Sequence, residues 1–167
     1  MHTNVRRISM AATMTVVALA LAAGPAQAAK STLTLTLGDQ SSAINSFSWG
    51  ASNPGTTHSG GGGGAGKVNV QDLSLTLQNG PMSVTLLKAV STGQHFPEAG
   101  LQFVNGVFTS SLCMQDVLVS SWQTGASAGE ERPSDTASFN FARFEYKVSN
   151  SAFGFDIVGN TTDPDPC

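Results

Sequence analysis

Short segments in which apolar and polar residues alternate recur along this chain after residue 30, with the period of two that is typical of half-buried β-strands. The segments are residues 32–37, 43–49, 67–77, 101–104, 107–113, 117–122, 136–148 and 153–158. Asn105-Gly106, between two of them, predicts a tight hairpin with positive φ at both central residues. Many short strands joined by turns predict a mainly β fold, an antiparallel β-barrel made of two packed sheets.

One segment has the period of a helix instead. Asn79-Gly80-Pro81 is a typical start, with proline in the first turn, and Gly93 is a typical stop. Between them, Met82, Leu86, Leu87 and Val90 form one apolar stripe. The sequence therefore predicts a single short α-helix that plugs or flanks the barrel.

The segment 136–148 changes its alternation partway. Phe139 and Phe141 stand at odd-numbered positions, whereas Phe144, Tyr146 and Val148 stand at even-numbered positions. In a regular strand the two groups would point to opposite faces. A bulge near Ala142-Arg143 would turn all five large side chains to one core and leave three charged residues near solvent: Arg143, Glu145 and Lys147. A strand buried on both faces, as in an oligomer, is the alternative.

The N-terminus has the features of a secretory signal peptide. Arg6 and Arg7 precede an apolar stretch over residues 10–23, which ends in Ala26-Gln27-Ala28. We therefore expect residues 1–28 to be removed, and residues 29–167 to form one domain that is periplasmic or secreted. An uncleaved membrane anchor is the alternative, and no later segment is long and apolar enough to span a membrane.

The charge of the chain argues against a nucleic-acid partner. Eight Lys and Arg residues stand against eleven Asp and Glu residues, and loss of Arg6 and Arg7 would make the chain more acidic. The remaining basic residues are scattered, whereas binding to phosphates requires several cations on one face.

A run of glycines is the most unusual feature of the sequence. It stands in His58-Ser59 followed by Gly60, Gly61, Gly62, Gly63 and Gly64, then Ala65, Gly66 and Lys67. Five consecutive glycines lose much conformational entropy on ordering, so an ordered state requires a compensating partner, such as another chain. Part of the run fits nucleotide-binding patterns, but Val68 replaces the Ser or Thr of a P-loop and a strand follows instead of a helix. We therefore interpret it as a contact loop.

Two cysteines remain after removal of the leader, Cys113 and the C-terminal Cys167. An oxidising compartment would permit them to form a disulfide, if the Pro-rich tail folds back within reach. A buried Cys113 and a free thiol on the tail is the alternative, and the sequence leaves both open.

Candidate catalytic residues are few. His58 and His95 are the histidines after the leader, and no G-x-S-x-G motif is present. Glu130 and Glu131 are adjacent in a loop-like segment, where charges are usually solvated. Trp49 and Trp122 are interpreted as core or interface anchors. We predict no catalytic residue, no metal site and no cofactor.

Several motifs together resemble the haemolysin-coregulated protein (Hcp) family of the bacterial type VI secretion system. The resemblance covers most of residues 43–158, and it rests on Ser46-Phe47-Ser48-Trp49-Gly50, the segment HSGGGGGAGKVNVQDLSLT, Thr92-Gly93-Gln94-His95-Phe96-Pro97, Asp116-Val117-Leu118-Val119-Ser120-Ser121 and Ser138-Phe139-Asn140-Phe141-Ala142.

This resemblance implies a small β-barrel that assembles into hexameric rings, which stack into a structural tube carrying effector proteins in its lumen. It also implies that the loop at about residues 53–66 reaches a neighbouring subunit or ring. The implied partners are other copies of the chain, effector proteins and components of the secretion machine.

Two features depart from the family pattern. A leader on residues 1–28 would export a chain whose relatives are made in the cytoplasm, and the first strand is joined to Ala43 by a short connection, residues 38–42. The leading hypothesis is therefore an exported Hcp-like structural subunit. A monomeric exported binding module, an adhesin or carrier, is the alternative, and a hydrolase using Glu130 or His95 is disfavoured.

Overall fold

Twelve strands and one helix make up the part of the chain that the computed structural model describes, residues 30–55, 66–163 and 167. The helix is α1, Pro81–Thr92. The strands are β1 (Thr32–Leu37), β2 (Gln40–Ala43), β3 (Ser46–Ser48), β4 (Ala51–Ser52), β5 (Asn69–Val70), β6 (Leu73–Gln78), β7 (His95–Asn105), β8 (Phe108–Gly125), β9 (Ser134–Asn140), β10 (Arg143–Val148), β11 (Ser151–Asp156) and β12 (Thr161–Thr162).

Ten of the strands belong to one antiparallel sheet, and β4 and β5 form a separate two-stranded ribbon. The pairings run β1–β7, β7–β8, β8–β9, β9–β6 and β6–β3. β3 leads back to β2 and β1 through Ile44 and Asn45, whose N–H groups donate to the carbonyls of Leu33 and Thr76. The segment from β2 to β3 therefore joins the two ends of this order of strands, and the core lies between them.

The sheet folds sharply along one line. In β8 the buried apolar residues stand at even-numbered positions up to Met114 and at odd-numbered positions from Val117. The same kind of change occurs between Phe141 and Phe144, at the junction of β9 and β10. Asp116 lies on this line with φ of 54°, a left-handed conformation that is unusual inside a strand. β8 crosses the line and pairs with β10 on one side of it and with β9 on the other. The fold line therefore separates two sheet halves that pack on each other.

The core is apolar and lies between the two halves. Its fully buried side chains, all at most 2% exposed, include Leu35, Leu37, Leu73, Leu75, Leu77, Leu86, Met114, Val117 and Phe139. α1 contributes Met82, Leu86 and Ala89 to it. Removal of this much apolar surface from water is the main favourable term in folding.

α1 begins and ends where the sequence predicts. Ser83 N–H donates to the carbonyl of Gly80, and the Ser83 hydroxyl accepts from Gly80 N–H. Gly93 ends the helix in the left-handed region, φ 67°, which favours glycine. The predicted apolar stripe of α1 is wrong at Leu87, which is 45% exposed. Ala89 lies on the buried face of the helix instead.

A buried carboxylate lies beside the start of α1. Asp135 is fully buried, and Asn79 Nδ2 donates to its Oδ1 at 3.2 Å. Burial raises the pKa of Asp135, but the polar side chains of Ser83, Thr124, Asn79 and Trp122 around it lower the pKa by more, so that the pKa lies below the ordinary value. This group therefore remains charged inside the protein and connects β9 to the helix.

The mainly β, antiparallel fold with one short helix is confirmed, with corrections in its details. The predicted hairpin forms, but Gly106 and Val107 are its central residues and only Gly106 has positive φ. The change in alternation near Ala142 is also confirmed, but the bulge predicted at Ala142-Arg143 is wrong, because β8 keeps one register with β9 and β10 across this point. The register shift lies in β8 instead, between Val119 and Ser121. Glu145, expected near solvent, is buried, whereas Tyr146 is 38% exposed.

Candidate assembly surface

The β4–β5 ribbon carries the predicted contact loop. Ala51 pairs with Val70, and Ser52 pairs with Asn69. Of the predicted loop residues, Gly66 and Lys67 are described, and Lys67 is exposed. His58 and the five glycines Gly60, Gly61, Gly62, Gly63 and Gly64 lie outside the described residues. The ribbon fixes where the loop leaves the barrel and where it returns.

The two sides of the loop come close together at Gly66. A Cβ atom at this position would lie 3.3 Å from both the carbonyl oxygen and Cγ of Pro54. Such a distance is tighter than ordinary van der Waals contact, so glycine allows the close approach of the two backbones. The close packing of the two backbones therefore explains why a glycine stands at the base of the loop.

Asp72, directly after the ribbon, anchors it to the barrel. Its Oδ2 accepts a hydrogen bond from Ser120 Oγ at 2.6 Å, and its Oδ1 accepts one from Asn140 Nδ2 at 2.8 Å. These donors lie on β8 and β9. Hydrogen bonds to a carboxylate are stronger than those between neutral groups. Asp72 was not singled out from the sequence, although its position between two alternating segments marks the end of the ribbon.

Two backbone contacts complete the anchor. Gln71 N–H donates to the carbonyl of Gly50 at 2.9 Å, and Val68 N–H donates to Asn160 Oδ1 at 3.4 Å. Asn160 lies in the turn between β11 and β12, at φ 50°. The Gln71–Gly50 bond thus continues the pairing of β4 with β5, and the Val68–Asn160 bond attaches the ribbon to the turn before β12. The ribbon residues Ala51, Ser52 and Asn69 remain exposed.

His95 does not lie in a turn, as the sequence suggested, but at the first position of β7. Its Nδ1 lies 2.8 Å from Asp116 Oδ1, and both side chains are 59% exposed. A cavity of about 320 Å³ lies between this pair and Asp72. The pair bridges β7 and β8 at the fold line.

The remaining candidate residues are dispersed. Glu130 accepts a hydrogen bond from Ser127 N–H at 3.1 Å in the exposed loop between β8 and β9. Trp49 and Trp122 pack against the core. In residues 30–55, 66–163 and 167, no three His, Cys, Asp or Glu side chains are grouped as metal ligands would be. In the same part of the chain, no helix has the length and apolar content of a bilayer-spanning segment.

An aromatic surface lies at the hairpin end of the barrel. Phe47, Trp49, Phe103 and Tyr146 line one small cavity, and Phe47 and Tyr146 are 40% and 38% exposed. The ring centroids of Trp49 and Tyr146 are 6.0 Å apart. The sequence predicted Trp49 as a core or interface anchor but gave no signal for the exposure of Phe47.

The two cysteines meet at the outer face of the sheet. Cys113 lies in β8, and Cys167 is joined to it by a disulfide with the Cα atoms 6.4 Å apart. Cys113 is half-buried and Cys167 is exposed. The C-terminus of the chain is thereby brought back to the middle of the sheet.

Comparison with known proteins gives matches to proteins of type VI secretion. A family model described as "Type VI secretion system effector, Hcp" matches residues 36–148. The chain is 44% identical over 84 residues to Protein hcp1 of Pseudomonas aeruginosa, across 47% of this chain and 52% of that protein. The matched region thus spans about half the length of this curated relative.

Solved structures share the fold. A structure described as a type six secretion system protein has a TM-score of 0.70 at 23% identity, covering 79% of this chain and 99% of the other. Hcp1 from Salmonella typhimurium has a TM-score of 0.65 at 19% identity, covering 82% of this chain and all of the other.

Proposed function

The chain belongs to the Hcp family of type VI secretion proteins, and from this premise we propose that it is a structural subunit that forms homo-hexameric rings stacked into a tube. The observation that carries the proposal is the β4–β5 ribbon. It is fixed to the barrel through Asp72, yet the side chains of Ala51, Ser52 and Asn69 are exposed. A rigid base with an exposed end suits a contact with another copy, since little further ordering is needed there on binding.

The glycine loop supplies the contact in this proposal. Glycine permits close approach of one backbone to another, and contacts between subunits offset the entropy that the loop loses. His58, the glycines at 60–64, Gly66 and Lys67 are the proposed contact residues. The tube carries effector proteins in its lumen and performs no chemistry of its own, so its partners are copies of itself, effectors and type VI secretion components.

Residues 1–28 act as a cleaved export signal in this proposal, which places the assembled chain in the periplasm or outside the cell. The sequence pattern supports this: two arginines, an apolar stretch and Ala26-Gln27-Ala28 stand in the required order.

A monomeric exported binding module is the second candidate, and one observation favours it. β1 and β2 are joined by a two-residue turn, Gly38-Asp39, with Leu37 paired to Gln40. Gly38 has φ of 57°, as a tight turn requires. A longer connection here would offer a further contact surface, and this chain lacks it.

Sedimentation of residues 29–167 over a wide range of concentrations distinguishes the two candidates. The tube proposal predicts a species of six times the monomer mass that grows into stacked rings at high concentration. A monomer at every concentration would overturn it and support the binding module.

Deletion of Gly60–Gly64 tests the role of the loop. We expect the deleted chain to keep the circular dichroism and unfolding midpoint of the parent, because the core residues lie elsewhere, and to sediment as a monomer. Unchanged rings in the deleted chain would contradict the loop proposal while leaving the ring proposal standing.

A further inference from the structure

The Cys113–Cys167 disulfide lies on the outer face of the sheet. Directly paired residues of an antiparallel sheet point to the same face, and Cys113 stands between Gly100 of β7 and Glu145 of β10. The adjacent residue Leu112 is 2% exposed and faces the core, so Cys113 points outward. A reagent therefore reaches the sulfur atoms from outside the barrel.

An open groove of about 520 Å³ lies beside Cys113 and is lined by residues of β1, β7 and β8. Among the lining residues that the structure describes, Asp39 and Glu98 are the charged ones. Glu98 lies in β7 two positions from Gly100, the partner of Cys113, and therefore on the same outer face. The groove thus leads a reagent to Cys113 past two carboxylates.

A third carboxylate lies on the opposite side of the disulfide. Glu145 is the direct partner of Cys113 and is 5% exposed. Cβ atoms of directly paired residues are about 4.5–5.5 Å apart, so a negative charge on Cys113 Sγ would lie close to this carboxylate. A charge at a buried site is screened little by water. Glu145 therefore opposes the formation of a thiolate at Cys113.

The two basic residues of β10 leave this field largely in place. Lys147 pairs with Glu145, but the lysine side chain is half-exposed and its directly paired neighbour is Ser111. Arg143 is exposed and lines a separate cavity with Asp116. Solvent therefore screens both cations more strongly than it screens Glu145, and neither cation lines the groove beside the disulfide.

We propose that these carboxylates make the disulfide selective among thiols, so that anionic thiols reduce it slowly and cationic thiols reduce it quickly. Reduction begins when a thiolate attacks one sulfur and the S–S bond breaks. Attack on Cys113 Sγ brings the attacking anion past Asp39 and Glu98. Attack on Cys167 Sγ instead releases Cys113 as a thiolate beside Glu145. Both routes place negative charge next to a carboxylate.

The complete reaction consumes two thiols. The first forms a mixed disulfide with the protein, and the released protein thiolate takes a proton. The second thiol attacks the mixed disulfide, which releases the other protein thiol and a small disulfide. The protein thereby gains the two electrons and two protons that the thiols lose. Because the first step is slow for anionic thiols such as glutathione, the bond persists when the chain meets them.

Reduction rates with three small thiols test the proposal on residues 29–167. Mercaptoethanesulfonate is anionic, 2-mercaptoethanol is neutral and cysteamine is cationic, and alkylation followed by mass measurement counts the protein thiols formed. At low ionic strength and equal thiolate concentration, we expect cysteamine to react about tenfold faster or more than mercaptoethanesulfonate. The same chain unfolded in urea should show a ratio below about three, because the carboxylates no longer lie beside the disulfide.

Equal ratios in the folded and the unfolded chain would overturn the proposal. Two free thiols in the folded protein before any reductant is added would also overturn it. Addition of about 1 M salt should reduce the ratio in the folded chain, because salt screens the carboxylates from the approaching thiolate.

Three variants assign the effect to particular residues. Glu98→Gln should raise the rate with mercaptoethanesulfonate and lower the rate with cysteamine, each by about twofold or more. Glu145→Gln should raise the rate with all three thiols, because the released Cys113 thiolate no longer faces a charge. Glu131→Gln is the matched control, since it removes the same charge from the exposed loop between β8 and β9 and should change neither rate. Equal effects of Glu131→Gln and Glu98→Gln would contradict the proposal, because net charge alone would then explain the rates.

Discussion

The β4–β5 ribbon and the β6–β9 pair are stabilised by different means, although β6 follows the ribbon directly along the chain. β6 and β9 pair through six residues each, and Leu73, Leu75 and Leu77 of β6 are at most 1% exposed. The ribbon pairs through two residues each, and most of its side chains are exposed. The first region is held by burial and the second by Asp72. Folding and assembly therefore depend on different residues and should be separable by mutation.

Phe139→Ala should have the largest effect, and it should act on folding. Phe139 lies in β9 and is fully buried, so its removal leaves a cavity in the core. We expect a loss of about 3–5 kcal/mol in the free energy of unfolding, measured by urea denaturation. Phe153→Ala is the control, since Phe153 is 52% exposed and should change stability by less than about 1 kcal/mol. Equal effects of the two would contradict the described core.

Asp135→Asn should destabilise by roughly 1–3 kcal/mol at neutral pH, because a buried charged acceptor is lost. The pKa of Asp135 is lower in the folded protein than in the unfolded chain. The stability that the Asp135 carboxylate contributes is therefore fully present above the pKa of the unfolded chain, about 4. It is lost as the pH falls through the pKa of the folded protein.

The difference in stability between the parent and Asp135→Asn should consequently narrow as the pH is lowered from about 5, and urea denaturation at several pH values measures it. Asn79→Ala removes one hydrogen-bond donor and keeps the carboxylate of Asp135. Its loss of stability should be smaller and should also narrow as the pH is lowered. A difference that stays constant down to acid pH would show that the carboxylate is not the cause.

Asp72→Ala probes the junction between the two regions. It removes the bonds to Ser120 and Asn140, which lie at the surface, so we expect only about 1 kcal/mol of lost stability. Assembly should weaken by about tenfold or more in sedimentation, because the base of the ribbon is no longer fixed. A variant that assembles like the parent would show that the ribbon needs no anchor.

Gly66→Ala should have the smallest effect on folding. Alanine lowers the entropy of the unfolded chain, by about 0.4–1 kcal/mol in favour of the fold, but its Cβ would contact Pro54 at 3.3 Å. The gain from the unfolded chain and the cost of the contact with Pro54 should nearly cancel, so the midpoint of thermal unfolding should stay close to that of the parent. Gly125→Ala is the matched control, since a Cβ there meets nothing within 4 Å and the gain should appear in full. An equal gain in both variants would show that the approach at Gly66 is loose.

Local patterns in the sequence predicted local structure well. The residues of α1 and its two glycine ends follow directly from Pro81 and Gly93, and alternation marked β1 and the two sides of the β7–β8 hairpin. These features depend on contacts within a few residues, which a sequence displays.

Features that depend on distant residues were not predictable in this way. Glu145 is buried although it is charged, and its ion pair with Lys147 leaves no mark in the alternation of apolar and polar residues. The bend at Asp116 is shared among neighbouring strands, so a single strand viewed alone suggested a bulge. Asp72 becomes informative only when Ser120 and Asn140, far along the chain, are brought beside it.

The left-handed backbone at Asp116 has a consequence for how this protein can change over generations. Glycine, asparagine and aspartate adopt that conformation at the lowest cost, so neutral drift at this position should favour these residue types. A β-branched substitution would not simply weaken one contact, because two sheet halves turn at the same point. A tolerated change at position 116 would therefore have to preserve the turn of both halves at once.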